Sequence, residues 1–115
     1  MIFVDGMTHR LTIWGDGVSA HLVSDTSVAE LKEFAGYIRM PLYWFQPLPV
    51  PHFELSPMWR RRAIKVGAVD CAGEDRRERY LEALRRFLEL HPGLVNEPVA
   101  HLLVARARRT ARARG

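Results

Sequence analysis

The feature that most constrains this fold is an alternation of short, strand-like runs with segments whose apolar residues recur at helical spacing. The strand-like runs cover residues 2–4, 21–23, 52–55 and 68–71. Their length and flanking turn residues are typical of short buried strands. Strands that alternate with helices pack as a parallel or mostly parallel sheet covered by helices. The sequence therefore predicts an α/β domain with a small parallel or mostly parallel sheet of three to four short strands.

End signals and apolar periodicity predict the helices. Ser27 and Asp25 are alternative N-caps for the first helix, and Ser56 followed by proline begins the second. The predicted helices run from Thr26 to before Pro41, from Pro57 to before Gly67, over residues 74–90, and from residue 98 to about 103. Residues 74–103 thus form a helical C-terminal extension. Residues 6–17 are predicted to be a loop, and the four prolines of residues 41–51 predict an extended connection.

One domain is predicted, because 115 residues with 48% hydrophobic side chains suffice for one continuous core and not for two. We assign residues 1–103 to this domain. Cys71 is the only cysteine, which excludes an intrachain disulfide and a four-thiolate zinc site. No stretch approaches the roughly 20 apolar residues of a membrane helix, and the N-terminus has no basic leader. We therefore expect a cytoplasmic protein without membrane attachment.

Excess positive charge is confined to residues 104–115. The formal net charge is +4, and this Arg-rich tail holds five arginines and no acidic residue. Such a tail can bind the phosphates of a nucleic acid or nucleotide without reading sequence, or it can be a solvated chain end. The apolar residues before the tail are compatible with a homo-oligomer formed through the C-terminal helices.

Two aspartates follow predicted strands. Asp5 closes the first strand, and Asp25 comes directly after the second strand and its serine. Open α/β sheets bind ligands beyond the carboxyl ends of their strands, so we expect the two carboxylates to share one polar site. Asp25 also has the position of a helix N-cap, where the helix dipole favours a carboxylate.

The order of several motifs resembles the family called domain of unknown function 4031, small bacterial and phage proteins. The matching segments are IFVDGM, HLVSDTSVAELKEFA, WFQ, HFEL and KVGAV, which cover roughly residues 1–70. Two positions depart from the family pattern: Lys32 stands where the family helix usually has His, and Glu54 replaces the usual Asp. The resemblance implies a polar site formed by Asp5, His21, Asp25, Trp44, His52 and Glu54.

These residue types suit a metal-assisted reaction. Asp5, His21, Asp25 and His52 are the candidate metal ligands, and with Glu54 they are the candidate catalytic groups. Imidazole and carboxylate donors bind Mn, Zn or Fe, or Mg where carboxylates dominate. Within the WFQ segment, Trp44 and Gln46 are candidates for substrate binding, since aromatic rings can stack a nucleobase.

The first functional hypothesis is a metal-assisted hydrolase or nuclease-like domain that acts on a phosphate-containing substrate. The alternative is a non-enzymatic binding or interaction module for a protein or nucleic acid, in which the His and Asp side chains are structural. The sequence contains no glycine-rich phosphate loop, no Ser-His-Asp signature and no dinucleotide fingerprint, so the common nucleotide-cofactor enzymes are not expected.

Overall fold

A computed structural model describes residues 1–12 and 15–94, and in this part of the chain five strands and three helices follow one another. The strands are β1 (Ile2–Asp5), β2 (Thr8–Thr12), β3 (Gly15–Ser24), β4 (Phe53–Leu55) and β5 (Val69–Cys71). The helices are α1 (Val28–Tyr37), α2 (Pro57–Lys65) and α3 (Glu74–Leu90). The α/β class is confirmed. The predicted last helix and the Arg-rich tail of residues 104–115 lie outside the described residues, and the single-domain assignment stays a prediction.

The sheet is mixed, and the prediction of a parallel or mostly parallel sheet is wrong. Only β1 and β5 pair in parallel, whereas β3 runs antiparallel to both β1 and β4. The four strands lie in the order β4-β3-β1-β5, and the first half of β3 forms a hairpin with β2. This hairpin occupies much of residues 6–17, which were predicted to be a loop. A short connection can reverse the chain, whereas a parallel neighbour requires a longer crossover.

Helices cover both faces of the sheet, because side chains alternate between the faces along each strand. One face packs against α1 and α2 through β-strand residues Ile2, Val4, Ala20, Leu22, Phe53 and Leu55. The opposite face packs against α3 through Phe3, Val23 and Cys71. The result is a three-layer arrangement in which α3 alone among the described helices covers the second face.

The helix ends follow the predicted signals. Ser27 is the N-cap of α1, since its Oγ accepts a hydrogen bond from a backbone N–H at 3.0 Å. Ser56 caps α2, with proline at the first helical position. Gly67 follows α2 with φ of +117°, a conformation that residues with a Cβ rarely adopt. Among the described helices, none has both the length and the apolar character needed to cross a membrane.

Candidate metal centre

Four of the five residues predicted to be catalytic converge at the carboxyl end of β1. The β1–β3 register places Val4 opposite Leu22, which makes Asp5 and His21 neighbours across the two strands. His21 lies opposite Glu54 on β4. His52, just before β4, forms an isolated bridge with Gln46. Strand register therefore brings together residues that are far apart in the chain.

His21, His52 and Glu54 form a compact group whose side-chain atoms could hold a metal ion. One donor atom from each lies within 4.8 Å of the others. The two imidazole rings pack edge to face, with centroids 4.8 Å apart. His52 and Glu54 are only 6% and 7% exposed, so these donors are largely shielded from bulk water. Donor atoms at about 2.1 Å from one tetrahedral ion lie roughly 3.4 Å apart, so the widest pair of this set, at up to 4.8 Å, would close by about 1.4 Å to hold a metal.

A backbone carbonyl fixes the orientation of the His52 ring. Nδ1 of His52 lies 2.7 Å from the carbonyl oxygen of Val50, and both groups are buried. A carbonyl oxygen can only accept, so Nδ1 carries a proton, and Nε2 is the ring nitrogen left to bind a metal. Metal-binding histidines usually have this arrangement, with one ring nitrogen donating to a carbonyl or carboxylate.

Asp5 lies beside Nδ1 of His21, as the Val50 carbonyl lies beside Nδ1 of His52. Its Oδ2 lies 3.6 Å from Nδ1 of His21, and its Oδ1 accepts a hydrogen bond from the backbone N–H of His21. A slight closing would let the carboxylate accept a hydrogen bond from Nδ1–H and direct Nε2 of His21 toward His52 and Glu54. Asp5 can therefore orient a ligand without itself being one.

Arg60 of α2 holds the strand ends beside this cluster. Its Nε donates to the carbonyl oxygen of Asp5 at 2.9 Å, and its guanidinium also pairs with Asp70 of β5. The backbone N–H of Ala72 and the Arg60 guanidinium outweigh burial, so the pKa of the Asp70 carboxyl is lowered from its ordinary value. Asp70 thus remains ionised and keeps Arg60 in place.

The cluster opens into a cavity of about 740 Å³ between the sheet and α3. Asp5, His21, His52 and Glu54 line one side of it. The opposite side comes from α3 and includes Glu74, Arg77 and Tyr80. A cavity of this size is typical of small-molecule sites, which commonly occupy roughly 300–1,000 Å³.

Asp25 is not brought to this cavity. Because β3 is antiparallel to β1, the residue that follows β3 lies beside the start of β1. Asp25 accepts hydrogen bonds from the Met1 ammonium at 2.8 Å, from the Thr26 hydroxyl and from Arg86. Burial raises the pKa of Asp25, but these partners outweigh it and the pKa is lowered overall. The structure therefore gives this carboxylate a network of its own at the opposite end of the sheet.

The two candidates for substrate binding differ in their positions. Gln46 lines the cavity. Trp44 is not among the described residues that line it, and its ring packs edge to face against Trp59 with centroids 6.0 Å apart. Lys32, the departure from the family pattern on α1, lies over the ring of Phe45 at 4.6 Å. That departure therefore falls outside the cavity and leaves the ligand set intact.

Sequence reasoning missed the contribution of α3 to the cavity. Arg77 and Tyr80 belong to a helix whose pattern indicated only an amphipathic element, and no local signal shows which turn faces the sheet. Cys71 also lines the cavity and is only 3% exposed. Burial raises the pKa of the Cys71 thiol, which disfavours the reactive thiolate.

The fold and this cluster define a three-layer α/β architecture with a cavity at the end of a mixed sheet, and two histidines and two carboxylates line the sheet side of that cavity. The chain belongs to the family described as Protein of unknown function (DUF4031), whose model matches residues 2–83. No curated protein and no solved structure matches the chain. The family match extends past β5 into α3, and it includes every residue of the cluster.

Proposed function

We propose that this protein is a metal-dependent hydrolase of a phosphate-containing substrate, with His21, His52 and Glu54 as the metal ligands. The observation that carries the proposal is the convergence of three donor atoms within 4.8 Å at the wall of a cavity. The ring orientation supports it, since His52 donates from Nδ1 to a carbonyl and His21 presents Nδ1 to Asp5. In this proposal Asp5 orients a ligand, and Asp25 has a structural role.

The donor set favours particular ions. Two imidazoles with one carboxylate suit Zn, Mn or Fe better than Mg, which prefers oxygen ligands. Such an ion supplies Lewis-acid activation of water and of a phosphoryl oxygen. The protein residues contribute ring orientation, through Asp5 and the Val50 carbonyl, and exclusion of bulk water, through the burial of His52 and Glu54.

A thermal-shift screen with Zn²⁺, Mn²⁺, Fe²⁺ and Mg²⁺ tests metal binding. A free ion at about 100 times its Kd stabilises the folded state by about 2.7 kcal/mol. For a domain of this size that corresponds to a rise in Tm of roughly 10–20 °C. We expect this rise in the wild-type protein and its loss in His52→Ala and Glu54→Gln. Asp25→Asn is the matched carboxylate control, and it should retain the rise because Asp25 lies outside the cavity.

Turnover of p-nitrophenyl phosphate and bis-p-nitrophenyl phosphate with the stabilising ion tests the reaction class. Activity that requires the ion and disappears in Glu54→Gln supports a hydrolase. Metal binding without turnover of either ester favours the alternative, a non-enzymatic binding module. If no divalent ion changes the Tm of the wild-type protein, the proposed metal centre is wrong.

A further inference from the structure

We infer that Arg77 and Gln46 form a phosphate subsite beside the metal ligands, and that the substrate is a small phosphomonoester and not a polynucleotide. This inference rests on the proposed function and specifies the substrate of the same cavity. Both residues line the cavity, Arg77 from α3 and Gln46 from the connection that precedes β4. Together they add one cationic and one neutral donor to a wall that is otherwise rich in acceptors.

Arg77 differs from the arginine that precedes it on α3. Arg76 pairs with Asp70 at 3.6 Å, away from the cavity. Arg77 lines the cavity and forms no ion pair with any residue in the described part of the chain. A guanidinium presents a planar fork of N–H donors that matches two oxygens of a phosphate group. Its position within a cavity that also holds metal ligands points to an anionic ligand.

Gln46 supplies an independent indication of a hydrogen-bond acceptor. Its backbone is fixed by two hydrogen bonds with His52, each 2.9 Å long. Its side-chain Nε2 is buried, yet within residues 1–12 and 15–94 it has no hydrogen-bond partner. A buried donor without an acceptor is costly and uncommon in folded proteins. Rotation about the last side-chain torsion, which has a broad energy profile, can bring this amide to a ligand in the cavity.

The charge distribution favours a small anion over a polyanion. Residues 1–94 contain 12 basic and 12 acidic side chains, so the excess of positive charge that attracts a nucleic-acid backbone belongs to the tail of residues 104–115 and not to the part of the chain that forms the cavity. Among the described residues that line the cavity are three carboxylates and one guanidinium. Its apolar lining, which includes Leu48, Val50, Leu81 and Leu84, suits the organic part of a monoester.

The same charges couple phosphate binding to metal binding. Without a divalent ion, the carboxylates of Asp5, Glu54 and Glu74 repel an anion that enters the cavity. With the ion bound, Arg77 and the metal both attract phosphate. Phosphate and metal should therefore raise one another's affinity by the same factor, because binding linkage is reciprocal.

Isothermal titration of the full chain with inorganic phosphate, at saturating Mn²⁺ and without Mn²⁺, tests the subsite. Arg77→Ala should weaken phosphate binding about 10- to 100-fold, as expected for loss of charge-assisted hydrogen bonds. Arg77→Lys should recover part of that loss, since it keeps the charge but not the fork. Gln46→Leu should weaken binding about three- to tenfold. Arg61→Ala, which removes an exposed arginine outside the cavity, should change nothing.

The two proposals fail in different ways. If the wild-type protein binds no Mn²⁺ or other divalent ion, the proposed function is wrong. If it binds Mn²⁺ but Arg77→Ala and Arg61→Ala bind phosphate equally well, the subsite is wrong and the metal centre stands. Binding of bis-p-nitrophenyl phosphate as tight as that of p-nitrophenyl phosphate would overturn the choice of a monoester. Mn²⁺ affinity within twofold of wild type in the Arg77 variants shows that they are folded and retain the ligand set.

Discussion

Replacement of Arg60 by leucine tests how α2 secures the end of the sheet at which the candidate site lies. The Arg60 side chain is 15% exposed and bridges the carbonyl oxygen of Asp5 to the carboxylate of Asp70. Leucine keeps much of the aliphatic contact but removes both interactions. The ends of β1 and β5 then lose the side chain that joins them to α2.

The loss of these two contacts determines how far Arg60→Leu lowers the free energy of unfolding. Leaving the partly buried Asp5 carbonyl without its charged donor costs about 1–3 kcal/mol. Asp70 is one-third exposed and keeps the Ala72 N–H and Arg76, so solvent screening reduces the loss of its ion pair to about 1 kcal/mol or less. We expect Arg60→Leu to lower the free energy of unfolding by about 1–4 kcal/mol in total, with a central value of about 2–3 kcal/mol. For a domain of this size, Tm should fall by roughly 10–20 °C.

Chemical denaturation followed by circular dichroism measures this loss, and a double-mutant cycle with Asp70→Asn isolates the ion pair. Arg61→Leu is the control, since it changes an exposed arginine on the same helix and should shift stability by less than about 0.5 kcal/mol. If Arg60→Leu is as stable as Arg61→Leu, Arg60 does not anchor the sheet. Strict additivity of Arg60→Leu and Asp70→Asn would show that the pair contributes nothing.

Three further predictions concern helix ends, glycines and acid stability. Ser27→Ala should destabilise the protein by about 1 kcal/mol, and Ser56→Ala should destabilise it by less. The reason is that the Ser27 Oγ lies 3.0 Å from the backbone nitrogen it caps, whereas the Ser56 Oγ lies 3.5 Å from its partner. Equal losses of stability in urea denaturation would contradict this. Gly36→Ala should raise Tm, because Gly36 lies in a helix and an added Cβ would meet open space. Gly67→Ala should lower Tm, because φ of +117° strains a residue that has a Cβ. Thermal melts that reverse this order would contradict the role of backbone strain at Gly67. The pKa of Asp25 is lower in the folded protein than in the unfolded chain, where it is about 4. The ionised carboxylate therefore stabilises the fold above about pH 4, and this contribution is lost as the pH falls through the folded-state pKa. In Asp25→Asn, the free energy of unfolding should consequently fall less steeply between neutral and acidic pH.

Local sequence patterns predicted the elements of this fold well where apolar residues define them. The short runs at residues 2–4 and 68–71 became β1 and β5, and the N-cap signals at Ser27 and Ser56 located two helix starts. β2 was missed because THRLT lacks an apolar run, although its pairing with β3 is regular. Hairpin formation here depends on cross-strand partners, which the pattern of one strand does not contain.

Strand direction decides which of the predicted site residues lie together. Asp5 and His21 meet because they face one another across antiparallel strands, whereas the strand pattern predicts that Asp5 and Asp25 meet at the carboxyl ends of their strands. Because β3 runs antiparallel to β1, Asp25 lies beside Met1, at the end of the sheet opposite the candidate site. A carboxylate that follows a strand can lie at either edge of a sheet, and only the pairing decides which. The position of Arg77 was beyond prediction because it depends on how α3 docks on the sheet.

The central strand β3 contributes residues to both the candidate site and the apolar core. Ala20 and Leu22 are fully buried on one face, and His21 between them belongs to the ligand set on the other. One inserted residue in this stretch would exchange the faces, sending an imidazole into the hydrophobic interior and an aliphatic side chain into the cavity. An insertion or deletion within β3 would therefore disturb the apolar core and the candidate site together. A point substitution such as a change of His21 alone would alter the candidate site without exchanging the two faces of β3.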